Sequence, residues 1–156
     1  MKIIGIDPGT GILGFGVIEA RAGQLSLIDG GVIRTLAKDD DANRLDVIFR
    51  ELTVIIKTTK PEVMAVEKLF FAQNVTTAMS VSKARGVVLL TGKQAGLGIY
   101  EYTPLQIKQA MTGYGRADKK QIQEMVRVLL SLKEVPKPDD CADALAAAIT
   151  HSMTMR

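Results

Sequence analysis

The first 34 residues carry a pattern of apolar and polar positions that predicts three β-strands. Residues 2–6 (KIIGI) are rich in isoleucine, which suits a central strand that is covered on both faces. A turn at residues 8–11 (PGTG) follows, and apolar residues then alternate with glycines over residues 13–17. Residues 24–34 indicate a third strand, which DGG at 29–31 interrupts with a bulge or a bend. We therefore expect an antiparallel meander of three strands.

The pattern then changes to helical spacing and predicts a crossover. One helical face is apolar, and its members are Leu45, Ile48, Phe49, Leu52, Ile55 and Ile56. The helix ends before Pro61, and the acidic run at residues 39–41 stands where it would cap the helix rather than bind a metal. Residues 63–67 (VMAVE) form a fourth strand. Because a helix separates them, the fourth strand should run parallel to the first.

The second half of the chain alternates helices with one more strand. The predicted elements are a helix over about 74–93, a strand at 98–102, a short helix at 104–111, an amphipathic helix from Asp118 and a last helix from about 139. Asp139 or Asp140 should cap that last helix, and we expect His151 to end it. Its alanines form a smooth surface that allows close approach to the sheet. The whole pattern predicts an α/β fold.

Four acids are expected to meet at one edge of this sheet. Asp7 and Glu67 each end a strand, and parallel neighbours put their carboxyl ends at the same edge, where α/β sheets bind ligands. Asp140 and Asp143 lie three residues apart, so both face one side of the last helix. A turn-forming role for Asp7 and a capping role for Asp140 remain the simpler alternatives.

Carboxylates in a shared cleft repel one another, and their pKa values rise unless a cation neutralises them. Hard oxygen ligands without nearby sulfur or histidine select Mg²⁺ or Mn²⁺. Two such ions about 3.5 to 4 Å apart would activate a water and stabilise the leaving oxygen of a phosphodiester. The expectation is metal-dependent phosphodiester hydrolysis with two Mg²⁺ per active site, for which Mn²⁺ would substitute.

Length and composition limit the classes of protein that remain. With 156 residues and 47% hydrophobic residues, we expect one domain over residues 1–156 with a real core. The single cysteine, Cys141, excludes an internal disulfide framework and a cysteine-built zinc site, and we expect it to be a small buried residue. The apolar runs are too short for a membrane span, so we expect a cytoplasmic protein without a membrane partner.

Charge is distributed unevenly and points to a polyanion. Residues 1–81 hold nine basic and ten acidic side chains, whereas residues 82–137 hold ten basic and four acidic ones. This skew favours nucleic acid, although a solvated face would also account for it. Lys119 and Lys120 stand at the start of a helix, where cations oppose the helix dipole and suggest a bound anion.

Five segments carry a resemblance to a known family. They are GIDPGTGILGFGVI, VMAVEKLFFAQN, KARGV, IKQAMTGYGRADKKQIQEMV and DDCADALAAAITH, in this order and spacing. Together they closely resemble the RuvC family of bacterial crossover junction endonucleases over roughly residues 1–151. The resemblance implies a ribonuclease H-like fold, with a five-stranded mixed sheet of three antiparallel and then two parallel strands, flanked by helices.

The resemblance also implies an activity and its partners. It implies a homodimer that cuts a four-way (Holliday) junction symmetrically in DNA recombination and repair, beside a branch-migration complex of RuvA and RuvB. By motif, the catalytic and metal-binding residues are Asp7, Glu67, Asp140 and Asp143. The expected DNA-binding residues are Phe70, Lys108, Arg116, Lys119 and Lys120. Phe70 falls on an aromatic position that contacts junction bases in the family, while core filling is the alternative.

Other classes of protein remain to be weighed. The PGTG turn also resembles the phosphate hairpin of actin-like ATPases and sugar kinases, but those need a second lobe that 156 residues do not accommodate. A related nuclease acting on RNA and a catalytically silent junction-binding module are the remaining alternatives. Asp139 stands beside Asp140, so either could be the ligand, although the D-x-x-D-A-L register favours Asp140.

Overall fold

The computed structural model describes residues 1–68 and 75–155, which form five strands and five helices. The strands are β1 (Lys2–Asp7), β2 (Ile12–Arg21), β3 (Gln24–Arg34), β4 (Val63–Glu67) and β5 (Gly98–Tyr102). The helices are α1 (Asp41–Thr59), α2 (Val75–Gln94), α3 (Pro104–Thr112), α4 (Lys119–Leu129) and α5 (Asp139–Thr154). Phe70 lies outside the described residues.

The sheet has the order β3-β2-β1-β4-β5, so the isoleucine-rich first strand is central. β1 and β2 pair antiparallel, as do β2 and β3, whereas β1 and β4 are parallel, as are β4 and β5. The predicted mixed sheet and the crossover through α1 are thereby confirmed. β3 does contain a bulge, but at Ile28 and not at the predicted residues 29–31: Val17 pairs with Asp29 and Ile18 with Leu27, while Gly30 and Gly31 pair regularly with β2.

Alternating side chains of β1 divide the core between two helical layers. Ile4 and Ile6 pack in the core under α1 and α2, while Ile3 packs in the core under α5, α3 and α4. By the same alternation, Gly5 and Asp7 face the α5 side. Odd-numbered residues of β1 therefore face α5, and even-numbered residues face α1 and α2.

α5 packs directly on the sheet because both surfaces lack bulky side chains. Its alanines are fully buried, and they are Ala142, Ala144, Ala146, Ala147 and Ala148. A Cβ added at Gly5 would lie 1.9 Å from the Ala144 carbonyl oxygen, and one at Gly14 would lie 2.0 Å from the Asp140 carbonyl oxygen. The helix backbone therefore occupies the space that side chains take elsewhere, as the alanine pattern predicted.

Helix starts follow the sequence signals in three of the five helices. Asp40 caps α1 through the Asn43 amide, and Thr103 and Asp118 form capping boxes at α3 and α4. The capping prediction is wrong for α5: Pro138 is its N-cap residue, and Asp139 and Asp140 lie inside the first turn. Neither Asp139 nor Asp140 therefore caps α5.

Two further details differ from the sequence prediction. Phe49, assigned to the apolar face of α1, is 39% exposed, because the sheet covers Ile48 and Leu52 on only part of that face. His151 does not end α5, which continues to Thr154, and its side chain is 1% exposed. The Tyr102 hydroxyl lies 2.7 Å from its Nδ1 atom. Cys141 is buried, as predicted.

Residues 1–68 and 75–155 contain no helix that is long and apolar enough to cross a membrane.

We expect Gly5→Ala to destabilise the protein strongly, because its methyl group would collide with the Ala144 carbonyl and push α5 off the sheet. The free energy of unfolding, measured by urea denaturation, should fall by at least about 2 kcal/mol. Gly11→Ala is the control, since its Cβ would meet only the flexible end of Arg44 at 3.2 Å. Equal stability of the two variants would show that the helix can move away without cost.

Candidate active site

Asp7 and Glu67 meet at the carboxyl edge of the sheet. Ile6 pairs with Val66 in the parallel β1–β4 ladder, so the next residue of each strand is an acid on the α5 side. The two side chains are hydrogen-bonded to each other. Two carboxyl groups can share a hydrogen bond only when one of them is protonated, so we expect the pair to hold a proton when no cation is bound.

α5 brings the other two acids to the same edge. The close approach of Gly14 to the Asp140 backbone sets the first turn of α5 against the start of β2, where Gly14 pairs with Asp7. Asp143 follows one turn later, and its charge acts on both Asp7 and Glu67. Asp140 also acts on Asp7, more weakly. The structure therefore places all four predicted acids at one edge of the sheet, close enough for the charges of the other three to act on Asp7.

Electrostatics at this edge disfavour ionised carboxylates. Burial, followed by the charges of Glu67 and Asp143, raises the pKa of Asp7 to about 8. Burial raises the pKa of Glu67 as well, although the hydrogen bond with Asp7 offsets part of this effect. Burial also raises the pKa of Asp143. We assign the shared proton to Asp7, because its pKa lies well above the usual carboxyl range.

Lys119 is the cation that balances Asp143. Its Nζ atom lies 3.3 Å from Asp143 Oδ2 and 3.5 Å from Asp139 Oδ2. These carboxylates raise the pKa of Lys119 despite partial burial. Gln123 Nε2 donates to Asp139 Oδ1 at 3.0 Å, so Asp139 points to α4. The sequence predicted a bound anion at the start of α4. In the structure, the carboxylates of Asp139 and Asp143 on α5 take this place beside Lys119.

A cavity of about 330 Å³ opens between these groups. Glu67, Lys108, Lys119 and Asp143 all line it, so acids and cations face each other across one space. Arg116 and Lys120 are exposed near the start of α4 and line neither this cavity nor the one beside Asp7. Of the four described residues predicted to bind DNA, two lie at the site and two lie outside it.

The donor set suits a hard divalent cation, although the acids are not gathered tightly around one point. Within the described part of the chain, no three Asp, Glu, His or Cys side chains are grouped so that they could hold a metal ion. Asp143 is instead paired with Lys119, and Asp7 and Glu67 interact with each other. Buried carboxylates with raised pKa values are nevertheless what an added cation would stabilise.

Sequence reasoning missed two residues beside the acids. A second cavity, of about 290 Å³, adjoins the first at Glu67 and Pro104, and Asp7, Lys68 and Arg85 also line it. The KARGV segment containing Arg85 contributed to the family resemblance without receiving a role. Since Arg85 comes from α2, on the sheet face opposite α5, only the fold shows that it reaches this edge.

Comparison with known sequences gives consistent results. The family model described as crossover junction endodeoxyribonuclease RuvC matches residues 3–151. The chain is 56% identical over 156 residues to the protein of that name from Heliobacterium modesticaldum, covering 99% of this chain and 96% of the relative. It is 57% identical over 152 residues to that of Desulfitobacterium hafniense, covering 97% of this chain and 92% of the relative.

A solved structure is similar over the full length. It is RuvC from Thermus thermophilus in complex with a Holliday junction substrate, at a TM-score of 0.95 and 39% sequence identity. The match covers 100% of this chain and 95% of that chain.

The raised pKa of Asp7 predicts how stability depends on pH in EDTA. Between the ordinary carboxyl value of 3.8 and about 8, folded Asp7 keeps its proton while the unfolded chain loses it, so the stability of the parent falls as the pH rises through this window. Asp7→Asn removes this cost and still donates a hydrogen bond to Glu67. We expect its melting temperature at pH 8 to exceed that of the parent by on the order of 5 °C, with the difference shrinking towards pH 4.

Asp29→Asn is the control for this measurement, because Asp29 is an exposed aspartate whose Oδ1 accepts from the Gly30 amide, which an amide oxygen can also do. A melting difference for Asp7→Asn that does not change with pH would contradict the assignment of the shared proton.

Proposed function

The chain belongs to the RuvC family of crossover junction endodeoxyribonucleases and resolves Holliday junctions, and we propose that Asp7, Glu67, Asp140 and Asp143 are its catalytic metal ligands. The observation that supports the proposal is the convergence of these four acids, from three separate elements, on one edge of the sheet. A hydrolase that cuts phosphodiesters needs this kind of carboxylate set to hold its ions.

Mg²⁺ is the metal that we propose, with two ions per active site and Mn²⁺ as a substitute, because the donors are carboxylate oxygens. When bound, such ions make a water nucleophilic at neutral pH and stabilise the leaving oxygen. The protein contributes the positions of the acids. Asp7 and Glu67 are held by the β1–β4 ladder, and Asp140 and Asp143 are held by the contact of α5 with the sheet glycines.

Lys108 and Lys119 are proposed to bind the DNA backbone at the site. They line the cavity that also contains Glu67 and Asp143, so they would lie beside a phosphate placed over the acids. Lys119 has two tasks in this scheme. It neutralises Asp143 when no metal is present, and it becomes available to a phosphate oxygen when a cation takes its place.

We propose that Arg116 and Lys120 contact the DNA farther from the acids. Lys120 lies in the first turn of α4, Arg116 lies just before that helix, and both are exposed. They would meet the DNA backbone outside the cleaved linkage and add to the salt dependence of binding. Base contact by Phe70 stays a prediction, since that residue is outside the described part of the chain.

Cleavage of a synthetic four-way junction tests the assignment of the acids. We expect paired nicking that requires Mg²⁺ and disappears in EDTA, and we expect Asp7→Asn to lose at least about 10³-fold in rate because one ligand is removed from the ions. Linear duplex of the same sequence should not be cut. Asp29→Asn, which changes an exposed aspartate of β3 that lines neither cavity at the acids, should cleave like the parent.

Full activity of Asp7→Asn would exclude Asp7 from the catalytic set. Equal cutting of linear duplex would contradict selectivity for the junction and point to a general nuclease, whereas binding without cleavage under any metal would leave a junction-binding module.

A homodimer is the second part of the proposal. A two-fold symmetric junction is met most simply by a two-fold symmetric protein, which places one active site on each of the two strands that are cut. Support comes from the outer face of α2, where Val75, Met79 and Leu90 are 70%, 60% and 56% exposed. With Gly86, where a Cβ would meet no atom within 4 Å, they form one stripe along the helix, which we call the α2 stripe. The exposed Lys83 lies on the same face, between Met79 and Gly86.

An apolar stripe of this kind is suited to pairing with its own copy, since a small residue in its middle allows two helices to approach closely. We expect Leu90→Glu to shift the protein to monomers, seen by sedimentation velocity over a range of concentrations, with loss of paired nicking. Val54→Glu is the matched control, because Val54 is a 62% exposed valine of α1 that lies beside Val32 and Ile33 of β3. The same sedimentation profile for both variants would contradict α2 as the interface.

The remaining partners are also proposals. Association with a RuvA–RuvB branch-migration complex follows only from the family, and a bacterial junction resolvase is expected to work in the cytoplasm, where the chromosome is.

A further inference from the structure

The second cavity beside the acids contains two cations that the proposed reaction has not used. Lys68 directly follows Glu67 at the end of β4, and Arg85 comes from the middle of α2. Glu67 and Pro104 line both cavities, so Glu67 separates them. Lys108 and Lys119 lie in the first cavity and Lys68 and Arg85 in the second. The acids are therefore flanked by a pair of cations on each side.

Arg85 is positioned by a fixed contact. Its Nη2 atom forms a salt bridge with Glu101 Oε1 on β5, and its side chain is only 21% exposed. Glu101 pairs with Val66 in the β4–β5 ladder, one residue before Glu67, so the anchor of Arg85 is built into the sheet next to the catalytic edge. A guanidinium held in this way loses little further entropy when it binds a ligand.

The salt bridge does not use the full bonding capacity of Arg85. A guanidinium has five N–H donors, and Glu101 engages one end of it. The Nε atom is buried, and within residues 1–68 and 75–155 it has no hydrogen-bond partner. The donors that a ligand could reach are therefore the other N–H groups of the guanidinium, at the cavity that Arg85 lines.

The ligand class follows from the charges and the size of the cavity. Arginine forms paired hydrogen bonds with phosphate and carboxylate, and Lys68 adds a second positive charge from the exposed side. A volume of about 290 Å³ exceeds the share of several waters, at about 30 Å³ each, and is sufficient for a phosphate group. DNA supplies further phosphates on both sides of the one that is cut.

We propose that Lys68 and Arg85 bind the phosphate adjacent to the scissile one on the strand being cut. This inference rests on the proposed function, because it takes the acids beside Glu67 as the point of cleavage. Arg85 is a positioning residue in this role: it holds the strand so that the scissile phosphate lies over the acids, and Glu101 keeps the guanidinium aimed at the cavity.

A single-turnover cleavage experiment with neutral phosphates tests the contact. Junctions carry a methylphosphonate at the phosphate one position 5′ or one position 3′ of the cleaved linkage. For the parent, one of the two substitutions should slow cleavage by about tenfold, the effect of losing one charged hydrogen bond. Arg85→Met should slow cleavage of the unmodified junction by a similar factor. On the methylphosphonate junction that slows the parent, Arg85→Met should cleave no more slowly than the parent does.

Three further variants complete the design. Arg50→Met is the matched control, since Arg50 is an exposed α1 arginine that pairs with Asp46 and lines neither cavity at the acids, and its effect should multiply with that of the methylphosphonate. Arg85→Lys keeps the charge without the planar fork and should recover only part of the rate. Lys68→Met alters an exposed side chain and should reduce the salt slope of junction binding by about one.

The outcomes separate the two proposals. If Arg85→Met slows cleavage by the same factor on the unmodified junction and on both methylphosphonate junctions, Arg85 does not contact either phosphate. Its role is then only to hold α2 against β5 through Glu101, and the inference is overturned. If thermal melting shows that Arg85→Met is unfolded, Lys68→Met enters the same cycle, and full multiplication there also overturns it. If the parent cuts no junction with Mg²⁺, the proposed function fails, and the phosphate site fails with it.

Discussion

Everything at the catalytic edge follows from direct contact between the backbone of α5 and the sheet. Gly5 and Gly14 have no side chains, so two carbonyl oxygens of α5 lie where Cβ atoms would otherwise be. The buried alanines of the helix remove the remaining obstacle to close approach. The first turn of α5 therefore reaches the ends of β1 and β4, and only at this distance do Asp140 and Asp143 join Asp7 and Glu67.

The same packing carries an electrostatic cost. Burial and mutual repulsion raise the pKa values of Asp7, Glu67 and Asp143, so the folded protein gains nothing from keeping these groups ionised. Two local arrangements reduce the cost: the Asp7–Glu67 pair shares a proton, and Lys119 bridges Asp143 to its neighbour on α5. In the proposed function, divalent cations would replace both the proton and the ammonium group, so the electrostatic cost of these acids and the proposed affinity for metal would have one origin.

α2 connects this site to the symmetry of the substrate. Its inner face sends Arg85 to the cavity beside Asp7, where Glu101 fixes the guanidinium, and its outer face carries the α2 stripe proposed to pair two copies of the chain. α2 thus exposes Val75, Met79 and Leu90 on a face that also holds Lys83, and it places Arg85 at the site. In the proposed dimer, the interface and the phosphate contact would be held by one rigid element.

Local pattern was sufficient to predict most of the fold, because the periods of strands and helices are properties of neighbouring residues. It also predicted the convergence of Asp7 and Glu67, since the ends of parallel strands meet at one edge whatever the surrounding side chains are. Packing between distant segments decided the rest. The exposure of Phe49, the burial of His151 and the pairing of Arg85 with Glu101 each depend on which element lies opposite, and no local period contains that information.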